Sequence, residues 1–225
     1  MKKTKIKFVL SIIFLFNSII IALFYKEYTA TFEKYLLPLF FLYFLIDSLI
    51  MLFPLYNKAI FSSKHLKIHF HPKKIFNLTI LKEHIKVDNL KAIGIFIVYF
   101  GFLTILGLLY QKYDSFEKIH IYVLFFAANF ADYFCILIWC PFRSLILKNM
   151  CCNQCRISNW DRLMKFFILL FVPNFFTISI VILGLIVFLV WEINHLKHPE
   201  RFYLISNDYL SCNNCNFPQC KKNKE

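Results

Sequence analysis

Glycine and proline are scarce in this chain, at 4 and 7 of 225 residues, and Asp plus Glu number only 13. No glycine-rich phosphate loop, Ser-His-Asp pattern or H-E-x-x-H helix occurs, so nucleotide-driven and classical hydrolase mechanisms have no support. Internal repeats and low-complexity linkers are also lacking. Disorder does not fit either, because the apolar residues come in long runs broken by charged clusters. One membrane domain with small extramembrane pieces is the economical reading.

What the chain has in excess is apolar surface. Hydrophobic residues make up 59%, aromatic residues 20%, and the mean hydropathy is +0.59, against roughly 45–50% apolar residues in ordinary soluble domains. A soluble fold of this size could not hide that much. The fold class predicted is an all-α integral membrane protein, a bundle of about five transmembrane helices with short basic loops. Its spans are expected at 8–25, 35–56, 92–110, 119–139 and 166–191, within a membrane domain 1–191. An interfacial basic loop covers 57–91, a cysteine loop 140–165 and a polar, Cys-rich tail 192–225. The first run is too long for a signal-peptide core, and Tyr28 stands where cleavage wants a small residue, so it is read as a retained span. Gly94 and Gly101, seven apart, share a helical face and predict a close helix contact there.

The formal charge of +13 suits either nucleic acid or an anionic membrane surface. Distribution decides for the bilayer and against nucleic acid: 17 of the 26 Lys and Arg fall in the N-terminus and two inter-span loops. With five crossings, this places the N-terminus in the cytoplasm and the tail outside a multi-pass cell-membrane protein. Abundant Phe and Lys carry no residue-level reading.

Six of the eight cysteines fall in two polar segments, Cys151-Cys152-Asn-Gln-Cys155 and Cys212-Asn-Asn-Cys215 followed by Cys220. Each holds a C-x2-C, a spacing at which a turn aims two thiolates at one metal or brings two sulfurs within disulfide reach. If span 166–191 crosses once, the two sets are on opposite faces. Cys140, Cys151, Cys152 and Cys155 then form one ligand set, and His195 and His198 with Cys212, Cys215 and Cys220 the other. Zinc or an iron–sulfur cluster is the implied cofactor. A span that returns at Pro173-Asn174 would instead unite the cysteines on one face, but irregular backbone at membrane depth counts against it. Cys135, inside the fourth span, reads as a small core residue. His65, His69 and His71 read as part of a basic interfacial segment rather than as a metal site.

Asp47 and Asp132 interrupt apolar runs at matching offsets, roughly 18 Å from the outer boundary. Unpaired carboxylates at such depth are costly, so each needs a partner, and Asn129 is the expected one for Asp132. They read either as a proton- or ion-handling pair or as interhelical hydrogen-bond glue. The leading functional expectation is a membrane protein whose cysteine clusters bind metal or exchange disulfides, acting in redox chemistry or in assembly of a membrane complex. The alternatives are a carrier or channel using the aspartates, with the cysteines as metal clips, and a non-catalytic scaffold. Other membrane proteins, or a second copy of the chain, are the expected partners.

Overall fold

The structure is a computed structural model that describes residues 2–24, 29–53, 60–74, 76–113, 117–149, 152–211 and 214. Its helices are α1 (Lys2–Phe24), α2 (Thr29–Leu52), α3 (Ile60–Ser63), α4 (Leu78–Lys112), α5 (Lys118–Leu137), α6 (Asp161–Phe166) and α7 (Phe175–Lys197). The expected helical membrane bundle is what forms. Helices α1, α2, α4, α5 and α7 are long and apolar enough to cross a membrane. They carry exposed apolar side chains such as Leu39, Val98 and Phe175, a surface suited to lipid.

Local signals set the helix starts. Asn77 accepts from the amides of Thr79 and Ile80 and starts α4 fourteen residues before the expected span at 92, so the second half of the basic loop 57–91 is helix. Glu117 and His120 form a reciprocal cap on α5, and Asn174 and Thr177 do the same for α7.

The last cap marks the largest departure from the expected topology. The stretch 166–191 is not one span. Residues 156–173 descend through the bundle, including α6 and a 3-10 turn at Phe167–Phe171, then reverse at Pro173-Asn174 into α7. The two limbs lie side by side along their length. Trp191 donates to the carbonyl of Arg156 at 2.9 Å, the rings of Trp160 and Phe188 are 5.3 Å apart, and Thr177 donates to the Val172 carbonyl at 2.8 Å. Irregular backbone at this depth is tolerated because protein covers it: Phe166, Ile168 and Leu169 are all buried.

Close approach of the limb needs glycine, but not the glycines expected. A Cβ on Gly184 would lie 2.8 Å from the Phe166 ring and 3.2 Å from the Arg162 carbonyl, and one on Gly107 would lie 2.2 Å from the Phe171 ring. Gly94 and Gly101 have nothing within 4 Å, and their shared face is exposed.

Because the limb returns, the bundle has a broad end and a narrow end. The broad end gathers the start of α1, the ends of α2, α5 and α7, residues 60–74, 138–149, 152–160 and 198–211. Asp208 donates its amide to the His71 carbonyl at 2.9 Å, and Lys73 its amide to Ser206 at 3.0 Å. Arg201 reaches the His65 carbonyl at 3.1 Å, and the buried Lys64 ammonium donates to the Cys155 carbonyl at 2.7 Å. The narrow end holds the ends of α1 and α4, the starts of α2 and α5, and the Asn174 turn.

Candidate functional site: thiols beside a buried charge network

Charged groups inside an apolar bundle must find each other. Asp47 of α2 pairs with Lys7 of α1 and with Arg162 of α6. Arg162 also pairs with Asp161, and its Nη1 lies 3.7 Å from Asp132 of α5. Lys165 Nζ donates to Asp132 Oδ2 at 3.0 Å and is 3.7 Å from Asp161. Its ammonium also sits over the rings of Phe44, Tyr133 and Phe166. Three carboxylates thus meet three cations, and the formal charges sum to zero. The two aspartates do come together, but through Arg162. Asn129 is buried with its Oδ1 unpartnered, and Asp132 takes cations instead. Both aspartates stand five residues before their helix ends, about 7–8 Å from the broad end of each helix.

One turn beyond Asp132, the same face of α5 carries Cys135. The helix then closes with a widened turn: the amides of Ile138 and Trp139 both bond to the Phe134 carbonyl, at 2.8 and 3.2 Å. That turn folds Cys140 back toward Cys135, so that each thiol acts on the other's ionisation. Pro141 and the π-helical segment Phe142–Leu147 follow, with the Phe142 and Arg143 amides directed at the Cys140 sulfur. Arg143 Nη1 donates to Cys152 Sγ at 3.6 Å.

These contacts act on the thiol's ionisation. The Cys135 hydrogen bond, helped by the Arg143 charge and the two amides and opposed by burial, brings the Cys140 thiol down to about 6. Burial pushes the Cys155 thiol up to about 12, so it stays protonated. One thiol is therefore prepared as a thiolate and another is shut off.

The remaining expected site residues distribute as follows. Cys151, Cys212, Cys215 and Cys220 lie outside the described residues. The turn Cys152–Gln154 and the turn Asp208–Leu210, which leads into the tail cysteines, both pack on α3. Cys152, Cys155 and the turn Asp208–Leu210 thus lie at one end of the bundle. His195 is buried with Nε2 3.2 Å from the Tyr203 hydroxyl, and His198 faces Glu200 at 3.3 Å. His65 lies against Trp191, and His69 stacks on Tyr209 at 4.8 Å, so these rings help to dock residues 198–211. Among the described residues no three His, Cys, Asp or Glu side chains assemble as a metal-holding group.

No family model, curated protein or solved structure matches the chain. Its reading rests on its own residues. Those missed by sequence reasoning are Cys135, Arg143, Lys7, Asp161, Arg162 and Lys165. The Arg162 to Lys165 spacing, which puts two cations on one face of an otherwise apolar stretch, was the available signal.

Proposed function

We propose that the protein is a membrane-embedded thiol protein that exchanges disulfides at the broad end of its bundle. The Cys135–Cys140 contact carries this reading. Cys140, as thiolate, attacks one sulfur of a partner disulfide, forming a mixed disulfide and releasing the first partner thiolate. Cys135 then gives up its proton and attacks the Cys140 sulfur. The Cys135–Cys140 disulfide forms, the second partner thiolate leaves, and the partner has gained the two electrons lost by this chain.

Sidedness supports the reading. Of the 21 Lys and Arg among the described residues, Lys34, Lys112 and Lys118 lie at the narrow end, and the other 18 belong to the broad end or the limb. The broad end is then cytoplasmic, where thiols are kept reduced and a labile pair has a supply of electrons. Exchange stands ahead of a zinc or iron–sulfur centre because the described thiols differ in ionisation and do not converge as ligands. It stands ahead of a carrier because every carboxylate of the charge network already has a cation.

Reaction of purified protein with a chromogenic aromatic disulfide near pH 7 tests this. Cys140→Ser should slow the fast phase at least tenfold, while Cys135→Ser should keep it but stop at a stable mixed disulfide, visible by mass spectrometry. A fast phase untouched by Cys140→Ser sinks the proposal.

A further inference from the structure

An open crevice of about 660 Å³ lies at the broad end, with Gln154 of the Cys152–Gln154 turn in its lining and none of the charge network. One wall is a single face of α4, bearing Ile80, Glu83, His84, Val87, Asp88 and Lys91 at helical spacing. The opposite wall comes from residues 147–149 and 202–205, and Lys73 closes one side. We propose that this crevice binds the phosphate headgroup of an anionic membrane lipid.

Depth and charge support it independently. Residues 92–112 of α4 suffice to cross about 30 Å of hydrocarbon. Lys91 then stands at the boundary, and the crevice begins at headgroup level. The buried Asp88 has Lys91 and His84 as neighbouring charges, and Lys91 also donates to the Leu147 carbonyl at 3.3 Å. Set against the exposed Glu83, the remaining cations are Lys73 and Lys148, leaving a positive balance for a monoanion. Ile80 and Val87 are 45% and 48% exposed on the same wall; a free phosphate has no use for them, whereas the glycerol and upper chains of a lipid do.

Lys148 adds a backbone observation. Among the described residues it is the non-glycine one with positive φ, at 54°, where a side chain is uncommon, and its conformation is fixed by its own amide and that of Asn149, both bonded to the Arg143 carbonyl. Glycine would sit there more easily. Lys148 lines the crevice from this turn.

The probes are dihexanoyl phosphatidylglycerol, dihexanoyl phosphatidylcholine and inorganic phosphate, each titrated into the full-length protein in a neutral detergent below its micellar limit and read by native mass spectrometry and thermal melting. Phosphatidylglycerol should bind at least about tenfold more tightly than the other two. Lys73→Glu with Lys148→Glu should weaken it by at least about tenfold. Lys148→Gly should keep or raise the melting temperature and still lose affinity, which separates ligand loss from misfolding. Inorganic phosphate binding as tightly as the lipid would make this a free-anion site and overturn the proposal. Phosphatidylglycerol that fails to bind, or binds equally after both substitutions, would overturn it outright.

Discussion

The two ends of the bundle are built from the same helices by different forces. At the narrow end aromatic rings interlock: Phe14 meets Phe40 at 4.7 Å, Phe40 meets Phe126 at 4.9 Å, and Phe32 meets Tyr122 at 5.3 Å. Polar contacts there are few, chiefly Tyr122 to Glu33 at 2.9 Å and the Asn174 cap. At the broad end the contacts are ionic and hydrogen-bonded. Arg156 forks onto Glu192 at 2.8 and 2.6 Å, Trp160 donates to the same carboxylate, and buried Lys64 and Arg201 serve backbone carbonyls. Rings in hydrocarbon pack without needing chemistry, whereas buried polar groups must be matched one by one. Where the charges balance, as around Arg162, the group is a clamp even though Arg162 Nε and Asp161 Oδ1 find no partner. Where the matching is uneven, as between Cys135 and Cys140, a reactive atom is left.

The most severe way to test this contrast is to unbalance the clamp. Arg162→Met leaves Asp47 and Asp161 short of a cation in a buried site and should cost about 3–5 kcal/mol, enough to prevent recovery of folded protein in detergent. Asp47→Asn removes one charge, keeps a hydrogen-bonding amide and should cost less. Thermal melting or size-exclusion recovery gives the ranking. Equal tolerance of both substitutions would mean that the network is not what holds α2, α5 and α6 together.

A pH change should act on the broad end alone. Burial holds the His65 imidazole down at about 4, with Arg201 and Lys64 beside it disfavouring a second positive charge. Because the folded value lies below the ordinary 6.5, the unfolded chain binds the extra proton first. The stabilising effect of neutral His65 is complete above about pH 6.5 and fades as pH falls toward 4, amounting to about 3 kcal/mol at most. Hydrogen exchange at pH 5 against pH 7.5 should show opening at residues 62–71 and 199–210 and none in the ring cluster of Phe14, Phe40 and Phe126. His65→Asn should reduce the difference. Opening spread evenly over both ends would erase the distinction.

The legible parts of the sequence were those carried by length and composition. Five apolar runs declare five helices because each must satisfy its backbone internally in lipid. The returning limb was hidden because 166–172 is as apolar as any span, and because the argument against it, exposed backbone at depth, fails only once Phe166, Ile168 and Leu169 are known to be covered. The Asn174 and Thr177 cap was readable as a helix start, yet its weight depended on that shielding. With the limb misplaced, the aspartates had no visible cation and the two cysteine segments fell on opposite faces. Cys135 looked inert because its contact with Cys140 depends on a widened helix end that no residue pattern announces.

The narrow end gives the mildest test, and it discriminates between volume and charge as the organising factor. A methyl at Gly107 would lie 2.2 Å from the half-buried Phe171 ring, so the ring must swing away from α4. Gly107→Ala should therefore cost about 1–3 kcal/mol through overpacking. Gly94→Ala on the same helix adds a methyl where nothing lies within 4 Å and should leave stability unchanged or raise it by up to about 1 kcal/mol through helix propensity. Neither substitution alters a charge, so both effects should be flat between pH 5 and 7.5, unlike that of His65. Paired melts in one detergent at the two pH values decide the matter. Equal shifts for Gly94→Ala and Gly107→Ala would mean that the limb does not press on α4 at Phe171, and with that the hairpin itself would lose its narrow-end contact.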